Sequence, residues 1–465
     1  MMERWGEALA QARSGESKYK ILVQAIGADI EAGKLPDGLR LPTQRDVSRQ
    51  LGISVQTVTN AYKELEQHGL IRCEVGRGSF VAKPVTQNVA SYMLDRAERS
   101  LVDFSTARII HTPEHDHAWR EMCARLATED DQPWMRDCRP IAGFEYHRSA
   151  ALEWLSGLGV TASLDNVLIT NGTAHAIFIA LASLVSPGDV VLAESLTDHG
   201  VIGSAQVLGF TLKGLDCDEH GIQPAHFEDM CSNERIRALV CTPNLNNPTV
   251  SLMPDSRRRA IARIAERFGV YVIEDDVYGP LLQQRHPPIS SHIPELGFHC
   301  TSFTKSVLSG LRIGYLTAPR RMALRADSIL RVNSWMAAPL LAEVATRWIG
   351  DGTAQALIEL QRKRLGTRHG MVRDALGSYL IGQHPEALSA WLGLPYHWQL
   401  DSLLKQLRLR DIAVTSPDPF LVLGTQRPSC LRICIGAEVS DVRAESAIRT
   451  IADVFEQYPQ VNDFR

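Results

Sequence analysis

The stretch Ser302-Phe303-Thr304-Lys305-Ser306-Val307-Leu308-Ser309-Gly310-Leu311-Arg312-Ile313-Gly314-Tyr315 sets a lysine among small hydroxyl residues and follows it with a Gly-Leu-Arg turn and an apolar run that reads as a strand. Such a segment can hold a primary amine beside a guanidinium and several hydroxyls, which suits an anionic ligand. A lone lysine is more often a solvated surface group. Its meaning depends on the residues that come before and after it.

Upstream, the apolar runs Val167-Leu168-Ile169, Val190-Val191-Leu192, Ala238-Leu239-Val240 and Val270 to Ile273 alternate with helical patterns. Short apolar runs separated by helices indicate βαβ units and a mainly parallel sheet, with ligands expected beyond the carboxyl ends of the strands. Three segments stand at those ends. Thr170-Asn171-Gly172-Thr173-Ala174-His175 opens a helix through Ile177 and Leu181, and its backbone can bind phosphate or simply turn the chain. Thr242-Pro243-Asn244-Leu245-Asn246-Asn247-Pro248-Thr249 contains an Asn-Pro pair of the kind found in plain turns. Glu274-Asp275-Asp276-Val277-Tyr278-Gly279 places carboxylates directly after a buried strand, as a ligand site, a metal site or a helix cap would. Further on, Leu431-Arg432-Ile433 puts an arginine between apolar residues, either to hold a carboxylate or as a buried ion pair.

The N-terminal part is of another kind. Tyr19, Leu22, Val23, Ile26 and Ile30 recur at helical spacing, with Gly33 as a stop. Thr43 caps a second helix with Asp46 three residues on, and Gly52 ends it. Ser54 caps a third, with Val58, Ala61, Tyr62 and Leu65 on one face and Gln56, Thr57, Asn60 and Lys63 largely on another. Two β-prone runs, Leu70 to Glu74 and Ser79 to Ala82, flank Gly76-Arg77-Gly78. Three helices and a hairpin form the layout of a winged helix-turn-helix, whose third helix can enter the major groove of DNA.

Composition bounds these readings. With 465 residues the chain exceeds one hydrophobic core, so two or three domains are expected. A net charge of −4 gives no global attraction to nucleic acid or to an anionic membrane. Residues 1–85 carry 12 Lys and Arg against 10 Asp and Glu, a net of +2, so any DNA contact must be local. No apolar run approaches the ~20 residues that span a bilayer, and the first residues lack a signal-peptide pattern, which points to the cytoplasm. Nine cysteines without a C-x-x-C pair read as reduced thiols, with no metal site expected.

The N-terminal text resembles the GntR family of bacterial repressors in Leu41-Pro42-Thr43-Gln44-Arg45-Asp46, Gly52-Ile53-Ser54, Thr57-Val58, Ala61-Tyr62, Leu65-Glu66, Gly69-Leu70 and Gly76-Arg77-Gly78-Ser79-Phe80-Val81. The resemblance implies that Arg45 contacts double-stranded operator DNA, that Gln56, Thr57 and Thr59 lie in or near the groove, and that Arg77 lies on the wing. Many members carry arginine where this chain has Val55 and Thr59.

The order Gly172-Thr173, Asn247-Pro248, Asp275 with Tyr278, then Ser302, Lys305 and Arg312 resembles the fold-type I pyridoxal-phosphate aminotransferases. By that resemblance Lys305 forms a Schiff base with the cofactor aldehyde, Asp275 pairs with the pyridine nitrogen, and Tyr278 and Asn247 bind the phenolic oxygen. Thr173, Ser302, Arg312 and the backbone from Gly172 to Ala174 hold the phosphate, and Arg432 takes an effector carboxylate. The chain departs from the pattern in Glu194-Ser195-Leu196-Thr197-Asp198-His199-Gly200, where Asp198 stands at the place of a ring that stacks on the cofactor. Val250 stands where glycine is usual, and Cys138 lies near Gly143, where a tyrosine often serves the partner subunit.

Together the two parts resemble the MocR subfamily. This implies an α/β architecture with a winged helix-turn-helix at 17–83, a linker at 84–102 and an aminotransferase-like effector and dimerisation domain at 103–465. That domain would have a large, mainly parallel-sheet subdomain and a small α+β subdomain from roughly 335. The implied function is transcriptional regulation by a homodimer that senses an amino acid or amine through exchange at Lys305. The alternative is an active aminotransferase carrying a DNA-binding domain.

Overall fold

The computed structural model describes residues 2–10, 17–31, 34–35, 38–67, 70–74, 78–81, 101–130 and 132–458. The chain divides into two units, Met1–Tyr92 and Met93–Arg465. The connector expected at 84–102 falls, up to residue 100, outside the described residues.

In the first unit the helical periodicity becomes α2 (Lys18–Glu31), α3 (Gln44–Leu51) and α4 (Val55–Gln67). The Asp46 N–H donates to Thr43 Oγ1 at 3.2 Å, and the Thr57 N–H to Ser54 Oγ at 3.1 Å, so both helices begin at the hydroxyl caps read from the sequence. Gly52 closes α3 at φ 63°, a conformation that favours glycine. Strands β1 (Ile71–Glu74) and β2 (Gly78–Val81) pair antiparallel from Ile71↔Val81 to Glu74↔Gly78. Ahead of these elements lies α1 (Met2–Ala10), which the periodicity reading does not include. Trp5 anchors it, fully buried and donating from Nε1 to Asp29 Oδ2 at 3.1 Å. Leu22, Ile26, Val47, Val58, Tyr62, Leu65 and Ile71 complete this core; each buried apolar side chain contributes about 1.5–3 kcal/mol.

In the second unit the four apolar runs are strands, buried on both faces over nearly their whole length. They are β3 (Val167–Thr170), β4 (Val190–Glu194), β6 (Ile236–Cys241) and β7 (Tyr271–Asp275), joined in one seven-stranded sheet by β5 (Thr211–Leu215), β8 (Gly297–Ser302) and β9 (Gly314–Thr317). The spatial order is β3-β9-β8-β7-β6-β4-β5. Every pairing is parallel except those of β9, which runs antiparallel to both β8 and β3. The chain between β8 and β9 is therefore a loop folding back at one sheet end, and it carries Lys305. Helices α5 (Thr173–Leu184) and α6 (His199–Leu208) follow β3 and β4. The long helix α7 (Thr353–Leu376) leads to an antiparallel sheet of β10 (Leu380–Gly382), β11 (Ser389–Gly393) and β12 (Cys430–Cys434), packed with α8 (Asp441–Glu456). Among the described residues no helix is long and apolar enough to cross a membrane, and no cluster of His, Cys, Asp and Glu is arranged to hold a metal ion.

Candidate cofactor and effector site

Because β3, β7 and β8 end at the same edge of the sheet, Gly172, Asp275 and Ser302 start their loops side by side. Gly172 has φ 87° and caps α5. A Cβ there would stand 3.1 Å from Arg312 Nη2 and 3.6 Å from Thr304 Oγ1, so glycine lets the guanidinium close on the backbone of the turn. Arg312 itself adopts φ 51°, and its Nη1 donates to Thr304 Oγ1 at 3.3 Å. Thr173 is buried with no partner for Oγ1. The first-turn N–H groups of α5, at Thr173 and Ala174, have no intrahelical acceptors. Ser302 is fully buried, its Oγ accepting the Thr304 N–H at 3.4 Å. A guanidinium, an unpartnered hydroxyl and a helix N-terminus together form a cradle that suits a phosphate.

Lys305 is half-buried, and its Nζ donates to the Ala107 carbonyl at 2.5 Å. Burial pushes its amine down to about 8, helped by Arg432 and Arg312 and opposed by Asp198 and Cys434. Asp275 is buried, with Oδ1 accepting the Val277 N–H at 3.1 Å. Burial, then the charge of Asp198, raises its carboxyl well above the usual range, so without a cationic partner it holds its proton. The phenol of buried Tyr278 is pushed up by burial and by Asp198. Strand alternation sends the neighbouring carboxylates to the opposite face. There Glu274 accepts from Ile289 N at 3.2 Å and from Ser290 N at 3.0 Å and Oγ at 2.9 Å. Asp276 accepts from Asn244 Nδ2 at 2.6 Å and pairs with His299 Nε2 at 3.2 Å. Of the acidic triplet, Asp275 alone is left without a side-chain partner among these contacts and is the candidate for this site.

Arg432, on β12, is buried. Its Nη1 donates to Asn247 Oδ1 at 2.5 Å, its Nη2 to the Ser105 carbonyl at 2.5 Å and to Thr415 Oγ1 at 3.2 Å, and its guanidinium lies 4.6 Å from the centre of the Phe420 ring. Nε is buried without a partner. No carboxylate pairs with Arg432 among the described residues, so its charge is open to an anionic ligand. Sequence reading missed Ala107 and Ser105, which act through backbone carbonyls 198 positions from Lys305 and 327 from Arg432, and Thr415 and Phe420, which stand in no recognisable motif. Asp198 caps α6, accepting the Gly200 N–H at 2.8 Å. Val250 has φ 63° while buried, a strained conformation for a β-branched residue, at the place where glycine is usual.

The residues expected to meet DNA lie in the first unit. Arg45 and Gln56 are exposed. The Thr57 hydroxyl lies 2.7 Å from Ser54 Oγ, and that of Thr59 lies 2.7 Å from Gln44 Oε1, so both are engaged within the protein. Arg77 lies outside the described residues.

The phosphate cradle, the depressed amine and the buried carboxyl fit pyridoxal phosphate. When bound, that group supplies an aldehyde that condenses with primary amines and a ring that withdraws electrons. Gly172–Ala174, Ser302 and Arg312 would hold its phosphate, Lys305 Nζ would offer an amine that is free above about 8, and Asp275 would offer a buried carboxyl.

Comparison with known proteins agrees. Residues 115–451 match the aminotransferase class I and II family, and residues 18–81 match the gntR family of bacterial regulatory proteins. The uncharacterized HTH-type transcriptional regulator YdeF of Bacillus subtilis is 29% identical over 378 residues, 81% of each chain. The HTH-type transcriptional regulator TauR of Rhodobacter capsulatus is 28% identical over 467 residues, covering 91% of this chain and 94% of the relative. The vitamin B6 salvage pathway transcriptional repressor PtsJ of Salmonella typhimurium is 26% identical, covering 81% and 86%. Among solved structures, Pyrococcus horikoshii kynurenine aminotransferase superposes with a TM-score of 0.71 at 16% identity, over 81% of this chain and 94% of that one. The chain belongs to the aminotransferase class I and II family, which binds pyridoxal phosphate, and carries a gntR-family helix-turn-helix in front of it, the domain order of the MocR subfamily.

Proposed function

We propose that this protein is a pyridoxal-phosphate-dependent, DNA-binding transcriptional regulator that senses an amino acid or amine at Lys305. The observation that carries this reading is the joining, in one chain, of a gntR-type helix-turn-helix to a cradle whose lysine amine is lowered to about 8 and whose Arg432 Nε is buried and unpaired. In this reading residues 17–83 bind operator DNA through Arg45, α4 and Arg77, residues 84–102 connect, and residues 103–465 bind the cofactor and effector and form a cytoplasmic homodimer. Asn247 and Tyr278 orient the cofactor's phenolic oxygen. Arg432, tied to Asn247, receives an effector carboxylate, so an amino acid suits the site better than a simple amine. A sensor further requires that the effector bind two states of the chain with different affinities.

The test uses full-length protein loaded with pyridoxal phosphate and an operator selected from randomised duplexes. Amino compounds that change the cofactor's absorbance should change operator affinity, and Lys305→Ala should lose that response while still binding DNA. Repeated turnover of an amino donor and a keto acid, with no effect on DNA affinity, would establish the aminotransferase reading instead.

A further inference from the structure

The exposed face of α4 carries a chemistry that selects bases. Val55, Gln56, Asn60 and Lys63 are exposed on it, with Thr59 half-buried at the edge. Gln56 Nε2 donates to Asn60 Oδ1 at 3.0 Å, one helical turn apart. Two amides joined this way leave one carbonyl oxygen and one NH2 group free, together with the second N–H of the donating amide. Adenine presents the complement in the major groove, an N6 donor beside an N7 acceptor. Guanine presents two acceptors, O6 and N7, and calls for two donors. The first turns of α4 hold no arginine or lysine, the side chains that most often supply them. Position 55 is a valine, 45% exposed. The Thr59 hydroxyl lies 2.7 Å from Gln44 Oε1 and 2.9 Å from the Val55 carbonyl oxygen, so its single hydrogen is engaged and its methyl remains. Methyl groups at 55 and 59 suit the C5-methyl of thymine.

We infer that α4 reads an A·T core in each operator half-site, with the Gln56–Asn60 amide pair on an adenine and Val55 with the Thr59 methyl against a thymine. This rests on the DNA-binding reading of the first unit. Arg45 and Arg49 on α3 and Lys63 on α4, all exposed, supply sequence-independent charge for phosphates.

The experiment selects randomised duplexes with full-length, cofactor-loaded protein at ~150 mM salt, then modifies the enriched site atom by atom. Enriched half-sites are expected to share an A·T core. Replacing the core adenine with 7-deazaadenine, which lacks N7, should weaken binding by on the order of 10- to 100-fold. The same replacement should have no further effect on Gln56→Ala or Asn60→Ala. Uracil in place of the core thymine, which removes only the methyl, should weaken the wild type and have a smaller effect on Val55→Ala. Val55→Arg should move the preference toward guanine. Salt-dependent binding to half-sites with a guanine core, or indifference to 7-deazaadenine, overturns the inference and leaves the DNA-binding reading standing. Absence of salt-dependent binding to any duplex overturns both.

Discussion

Lys305 must be neutral to add to an aldehyde, whereas an ordinary lysine amine titrates near 10.4 and is almost wholly charged at neutral pH. In this site burial lowers it to about 8, Arg432 and Arg312 add to the effect, and Asp198 works against it. The amine is thus charged below about 8 and free above it, so capture of pyridoxal phosphate by the cofactor-free protein should speed up as pH rises, with a midpoint near 8. Asp198→Asn removes the charge that favours the ammonium, and the midpoint should move below that of the wild type. Stopped-flow absorbance across pH measures both. A wild-type midpoint above about 10, or an upward move in Asp198→Asn, contradicts the assignment. The replacement at Asp198 is visible in the sequence as a missing ring. Its action on Lys305, Asp275 and Tyr278 is not, because those residues meet it only after three different strands have been laid side by side.

At the scale of elements, the return of the chain from β8 into β9 places Lys305 between two fixed strands and brings Gly314 against the turn before α5. A Cβ on Gly314 would lie 2.6 Å from the Thr301 carbonyl oxygen and 2.9 and 3.0 Å from the carbonyl carbon and Cα of Gly172, all backbone atoms. Gly314→Ala must therefore displace the phosphate-binding turn, and pyridoxal phosphate affinity should fall at least about tenfold, or about 1.4 kcal/mol. Gly310→Ala, in the same loop with open space around it, should leave that affinity unchanged. Spectroscopic titration compares the two, and equal affinities would remove the steric argument. The four doubly buried runs were legible as strands because a parallel sheet covered on both faces leaves continuous apolar text. Strand order and the antiparallel β9 were not legible, since pairing is settled by contacts distant in sequence. Arg432 and Asn247 illustrate this: each was read as a site residue, yet the bond between them spans 185 positions. The helix α1 was missed because, at nine residues, its apolar spacing of Met2, Trp5 and Leu9 is too short to establish a period.

For the whole molecule, charge and core divide along the same line. The first unit has its own core, and residues 1–85 carry +2 while the chain carries −4, so the remainder is acidic by −6 and is repelled by DNA. In the proposed reading DNA contact belongs to the first unit and effector chemistry to the second, and regulation requires a coupling free energy between them. Such a coupling is reciprocal by thermodynamic necessity, whatever path carries it. If an amino compound changes operator affinity by some factor, typically about 5- to 150-fold, saturating operator must change the affinity for that compound by the same factor. Two titrations on full-length, cofactor-loaded protein measure it: duplex binding with and without saturating amino compound, and the cofactor's absorbance response to the compound with and without saturating duplex. Matching factors different from one are expected. Factors of one in both directions, with the compound demonstrably bound, would mean that the cradle around Lys305 and the helix-turn-helix act independently, and the sensor reading would be lost.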